Sequence, residues 1–126
     1  MLKFILVIIA FVNCIALSAR EICSENYETI KELQNNIQNK YPLQEDGNLW
    51  KSFNDKTNSR MWYFSKNQTD YQAAICRYLT EDSSGVKMGM NVSCFGSTAT
   101  CDNINKIWNE NTKALNESFQ ASMKQK

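Results

Sequence analysis

Residues 60–94 read RMWYFSKNQTDYQAAICRYLTEDSSGVKMGMNVSC, and this stretch decides the fold class. In its last part Val86, Met88, Met90, Val92 and Cys94 alternate with Lys87, Gly89, Asn91 and Ser93. A period of two describes a strand with one dry face and one wet face. Ser83-Ser84-Gly85 supplies a turn before it. Ahead of that turn Tyr71–Leu79, rich in Tyr, Ala, Ile and Cys, reads as a second strand. Met61-Trp62-Tyr63-Phe64 reads as the first, set off by the turn-forming Asn67, Gln68, Thr69 and Asp70. The expected sheet is an antiparallel β-meander of three strands, or four.

Working outward, Ser24 is placed to cap a helix that runs to about Tyr41, with Pro42 behind it. Ile30, Leu33, Ile37 and Tyr41 give that helix one apolar stripe. Glu25 and Glu28 near its start and Lys40 at its end suit the helix dipole. Leu43 to Ser59 reads as a polar loop interrupted by Leu49-Trp50 and Phe53. A short helical turn there would set Trp50 and Phe53 on one side, as a plug for the core or an anchor for a partner. Beyond Cys94, the small-residue loop Phe95–Thr100 leads to Cys101, and Asp102 can cap a final helix. Ile104, Ile107, Trp108, Leu115, Phe119 and Met123 share a broad side of it, interrupted by Asn111. The expected fold class is α+β, with an N-terminal helix, the meander and a C-terminal helix in a single domain.

The chain opens Met1-Leu2-Lys3 and is then apolar from Phe4 to Leu17 except at Asn13 and Cys14, ending Ala16-Leu17-Ser18. One positive charge, a short apolar core and small residues describe a secretory signal peptide over 1–18, leaving a secreted domain at 19–126. The apolar run is too short for a membrane anchor, which needs about 20 residues. Without Lys3 the basic and acidic side chains balance, and a neutral chain excludes an electrostatic nucleic-acid binder. Cys23, Cys76, Cys94 and Cys101 remain, an even set that reads as two disulfides with three pairings open. Asn67, Asn91 and Asn116 each begin an N-x-S/T acceptor. Asn67 falls in an expected turn and Asn91 on the expected wet face, both open to a glycan.

The chain has no histidine, which removes the commonest general base and metal ligand and every triad built on it. Glu81-Asp82 and Glu45-Asp46 are adjacent carboxylates in turns, where solvated charge explains them. No enzyme, metal or cofactor is expected. Binding remains: the dry face offers Met88 and Met90, whose flexible side chains adapt to varied ligands. On residue types alone the same residues read first as core beneath the two helices.

Leu49-Trp50-Lys51-Ser52-Phe53 followed by Asn58-Ser59-Arg60-Met61-Trp62-Tyr63-Phe64 resembles the start of the tick salivary lipocalins, the histamine-binding-protein family. Cys76 on a second strand and the alternation from Val86 to Cys94 extend the resemblance over about residues 47–95. It implies a partial lipocalin-like sheet, since too few strands remain to close an eight-stranded barrel. It also implies a secreted salivary glycoprotein that sequesters a small host mediator, either a biogenic amine such as histamine or an apolar lipid mediator. Trp62, Tyr63 and Phe64 would line its pocket, beside Met88 and Met90 of the dry face. Asn48 stands where family members often carry an acidic residue, and their ligand-contacting acidic residues lie mostly on strands missing here, so none is carried over. The alternatives are a disulfide-stapled protein that binds a host protein, and a non-functional shortened lipocalin.

Overall fold

A computed structural model describes residues 20–66 and 71–124. The expected signal peptide and the Asn67 acceptor lie outside the described residues.

The chain begins with a small hairpin, β1 (Arg20–Ile22) and β2 (Glu25–Tyr27), followed by α1 (Ile30–Lys40). Five antiparallel strands then run in sequence order: β3 (Leu43–Asp46), β4 (Trp50–Asp55), β5 (Arg60–Ser65), β6 (Gln72–Asp82) and β7 (Gly85–Phe95). A long helix, α2 (Thr98–Lys124), ends the described chain.

This corrects the expected architecture in three places. Seven strands in two sheets, five and two, replace a meander of three or four. The first helix does not start at Ser24. Cys23 and Ser24 hold positive φ angles of 46° and 67° at the tip of the first hairpin, where Ile22 pairs with Glu25. That is the backbone of a tight hairpin turn, not of a helix cap. Thr29 caps α1 instead, its side chain accepting from the Glu32 N–H.

The third correction concerns Leu43–Ser59, which forms β3 and β4 rather than a loop. Gly47 N–H donates to the Trp50 carbonyl to close their turn. On a strand, residues three apart point to opposite faces. Trp50 and Phe53 are therefore on opposite sides of the sheet, and Phe53 is buried.

Both faces of the sheet are covered. On one lie α1 and the small hairpin, whose Ile22, Tyr27, Ile30, Leu33 and Ile37 pack on Phe53, Trp62, Phe64, Ala74 and Cys76. On the other lies α2. The interior strand β6 is therefore buried on both sides from Ala73 to Arg77, which explains the apolar run Ala73–Cys76. The alternation on β7 does not leave a wet face: apart from Lys87, all its residues are half-buried. Gly89 lies beneath the Tyr78 ring, and Ser93 meets the Tyr27 hydroxyl.

Two disulfides pin these layers. Cys23–Cys76 ties the small hairpin to β6, and Cys94–Cys101 ties the end of β7 to the first turn of α2. The cap of α2 is Ser97, whose hydroxyl accepts from Thr100 N–H, rather than Asp102.

Candidate ligand-binding site

The five residues expected to share a pocket are divided between the two faces. Trp62 and Phe64 are fully buried against α1, their rings stacked at 6.3 Å, with Phe53 edge-on to Phe64 at 6.0 Å. Tyr63 lies between them in sequence, so the strand's period of two turns it to the other face. There it joins the face that carries Met88 and Met90, beneath α2. Trp62 and Phe64 belong to the close-packed core, while Tyr63, Met88 and Met90 belong to the sheet–α2 layer.

That layer is built around Trp108. Its ring packs 5.0 Å from Trp50 and 4.9 Å from Tyr63, so the first half of α2 is anchored by an aromatic cluster. Ile104 and Thr112 are buried beside it. Farther along the helix Leu115 and Phe119 stand off the sheet. Between them and Met61, Tyr63, Leu79 and Met88 is a cavity of about 350 Å³. Leu79 and Phe119 are 42% and 41% exposed and form an apolar rim. A more open groove of about 760 Å³ shares Met88 with it and carries Lys87, Lys113 and Glu117.

Two arginines line the cavity, Arg77 and Arg60. Arg77 is only 8% exposed. Its Nη2 donates to Asn111 Oδ1 at 2.6 Å, and its guanidinium lies 4.7 Å from the Trp108 ring and 5.5 Å from the Tyr63 ring. Its Nε is buried without a hydrogen-bond partner. Among the described residues no carboxylate forms an ion pair with it. The other well-buried arginine, Arg60, is paired: its Nε donates to Asp55 at 2.9 Å and its Nη1 to the Cys23 carbonyl at 2.5 Å. Sequence reading passed over Arg77. Its signals were a lone cation inside the apolar run Ala73–Leu79 and the Asn111 that interrupts the apolar side of α2, now seen to be its partner.

Asp55 sits at the same end of the sheet as the cavity, on the α1 side. Burial works to raise its carboxyl pKa. Hydrogen bonds from Asn58 and Arg60 outweigh that and hold it below the usual carboxylate value. This pair fixes the β4–β5 turn, and Arg60 reaches the cavity with its charge already met by Asp55.

Two acceptor asparagines are described, and neither is free of the fold. Asn91 is half-buried, its Nδ2 3.4 Å from the Tyr78 hydroxyl. Asn116 directs its amide to the backbone of Met88. Among the described residues no group of histidine, cysteine or acidic side chains is arranged to hold a metal ion. No helix of the described residues is long and apolar enough to cross a membrane. The two disulfides are compatible with an extracellular protein.

Comparison with known protein families, curated proteins and solved structures finds no significant match to this chain.

Proposed function

We propose that this chain is a secreted binding protein that sequesters one small, mainly apolar mediator between its sheet and α2. The observation that carries this is the 350 Å³ cavity behind the Leu79–Phe119 rim. It falls within the range of about 300–1,000 Å³ typical of small-ligand sites. Met61 and Met88 in its walls are flexible, which suits a site that adapts to its occupant. Secretion rests on the leader-like residues 1–18 and on the two disulfides. The resemblance of residues 47–95 to tick salivary lipocalins supports the sequestering role. Here a helix over one face of an open sheet does the work that further strands do in a barrel.

Native mass spectrometry of the protein secreted from eukaryotic cells, incubated with a mixed panel of amines and lipid mediators, tests this. One ligand retained per chain, and lost in Leu115→Trp, is the expected result. A folded, oxidised protein that retains nothing from the panel sinks the reading.

One observation favours the second reading, a protein that binds a host protein. The edge strand β3 is exposed at every residue, with Leu43 and nearby Leu49 52% and 54% exposed. An extended partner segment could add to that edge. Loss of host-protein binding in Leu43→Pro, with the cavity still unoccupied by any small ligand, would select it.

A further inference from the structure

We infer that Arg77 reads the ligand's charge, and that the cavity takes an apolar molecule ending in an acidic head group such as a carboxylate, not an amine. This rests on the cavity being a ligand site and names the class of ligand it accepts.

Charge in the cavity has one sign. Arg77 and Arg60 lie along its wall, Arg60 already paired with Asp55, while Met61, Leu79, Met88 and Leu115 make it apolar. No aspartate or glutamate lines it. An ammonium group would meet a buried cation with no carboxylate to receive it, so the biogenic-amine alternative is disfavoured on charge alone.

The cation is also incomplete. A guanidinium carries five N–H donors and normally meets a carboxylate when buried. Arg77 has the neutral Asn111 amide on Nη2, two aromatic rings nearby, and an orphaned Nε. It stands in the strand that is buried on both faces, so the guanidinium is held by packing rather than free to find solvent. A buried charge without a counterion costs stability, and such a cost persists most readily where a ligand removes it. A carboxylate entering between the rim residues would supply the missing acceptor.

The test is calorimetric titration of the secreted, oxidised protein at neutral pH with decanoate, decanol and decylamine, repeated on Arg77→Met and Arg77→Lys. Decanoate is expected to bind about tenfold more tightly than decanol, the worth of one charge-assisted hydrogen bond, with decylamine weakest. Arg77→Met is expected to bring decanoate and decanol to parity, and Arg77→Lys to keep part of the preference. Equal binding of decanoate and decanol by the wild type overturns the inference and leaves the cavity a ligand site. So does a preference for decylamine, or a preference that survives in Arg77→Met. Binding of none of the three removes the ligand site as well. Thermal melts separate a merely structural role. Arg77→Met is expected to melt no lower than the wild type, since it deletes an uncompensated charge. A lower melting temperature together with an unchanged head-group preference would make Arg77 structural.

Discussion

The side-chain amide of Asn116 on α2 grips the backbone of Met88 on β7 at both ends. Its Oδ1 accepts from the Met88 N–H at 2.8 Å, and its Nδ2 donates to the Met88 carbonyl at 3.0 Å. β7 is an edge strand, and outward-facing backbone groups on an edge invite pairing with another chain. The helix thus blunts the edge in the middle of the strand.

A glycan at Asn116 is incompatible with this grip. In a secondary amide the substituent prefers the same side as the oxygen, by about 2.5 kcal/mol in simple cases, and that is where the donated hydrogen now sits. Glycopeptide mapping of the secreted protein should find Asn116 unmodified. An occupied Asn116 on folded protein would contradict the contact. Asn116→Leu should cost about 1–2 kcal/mol in urea unfolding, from two backbone groups left without their partner.

Asp55 sets the acid limit of the fold. Its folded pKa is depressed below the ordinary value of about 3.9. The stabilisation is therefore complete above that ordinary value and is lost as pH falls through the folded one. Asp55→Asn should flatten the decline in melting temperature between neutral and strongly acidic solution. Asp55→Ala should cost about 3 kcal/mol at neutral pH, because Arg60 keeps its charge with no carboxylate beside it.

The disulfides should differ in what their loss does. Cys23–Cys76 closes a separation of 53 residues and Cys94–Cys101 one of 7. Chain entropy then assigns about 4 kcal/mol to the first and about 2.5 kcal/mol to the second. The smaller loss should do the greater harm to ligand binding, because the shorter bridge holds the start of the helix that roofs the cavity. Paired serine variants, compared by denaturant unfolding and by titration with decanoate, check both orders.

The rim offers a change that spares the fold. Leu79 and Phe119 are exposed enough that Leu79→Ser and Phe119→Ser should each alter stability by no more than about 0.5 kcal/mol. Together they should weaken binding of an apolar chain several-fold. Unaltered affinity in the double variant would place the ligand elsewhere.

What could be read in advance follows from how local each determinant is. Alternation around Val86–Cys94 and the paired cysteines are visible because they need only neighbouring residues. The stripe Ile30, Leu33, Ile37 is equally local, yet the helix start was misplaced at Ser24. A disulfide from Cys23 to distant Cys76 helps hold that turn, while the Thr29-x-x-Glu32 capping signature went unread. β4 was missed because Trp50 and Phe53, three apart, suit a helical turn as well as two faces of a strand. Which face a residue serves is not local at all. Trp62 and Met88 are both apolar strand residues, and only the placement of α1 and α2 puts them in different layers. Arg77 was the hardest to see, since its meaning depends on a carboxylate that is not beside it.

The two bridges also divide the polypeptide by its tolerance of enzymatic cleavage. A single nick anywhere from Ser24 to Ile75 leaves both fragments covalently joined through Cys23–Cys76, so α1 and most of the sheet stay together in a protease-rich medium. No such retention covers the residues beyond Cys101. One cut midway along α2 would free the segment carrying Leu115, Asn116 and Phe119, uncover the β7 edge and discharge any cargo in the same event.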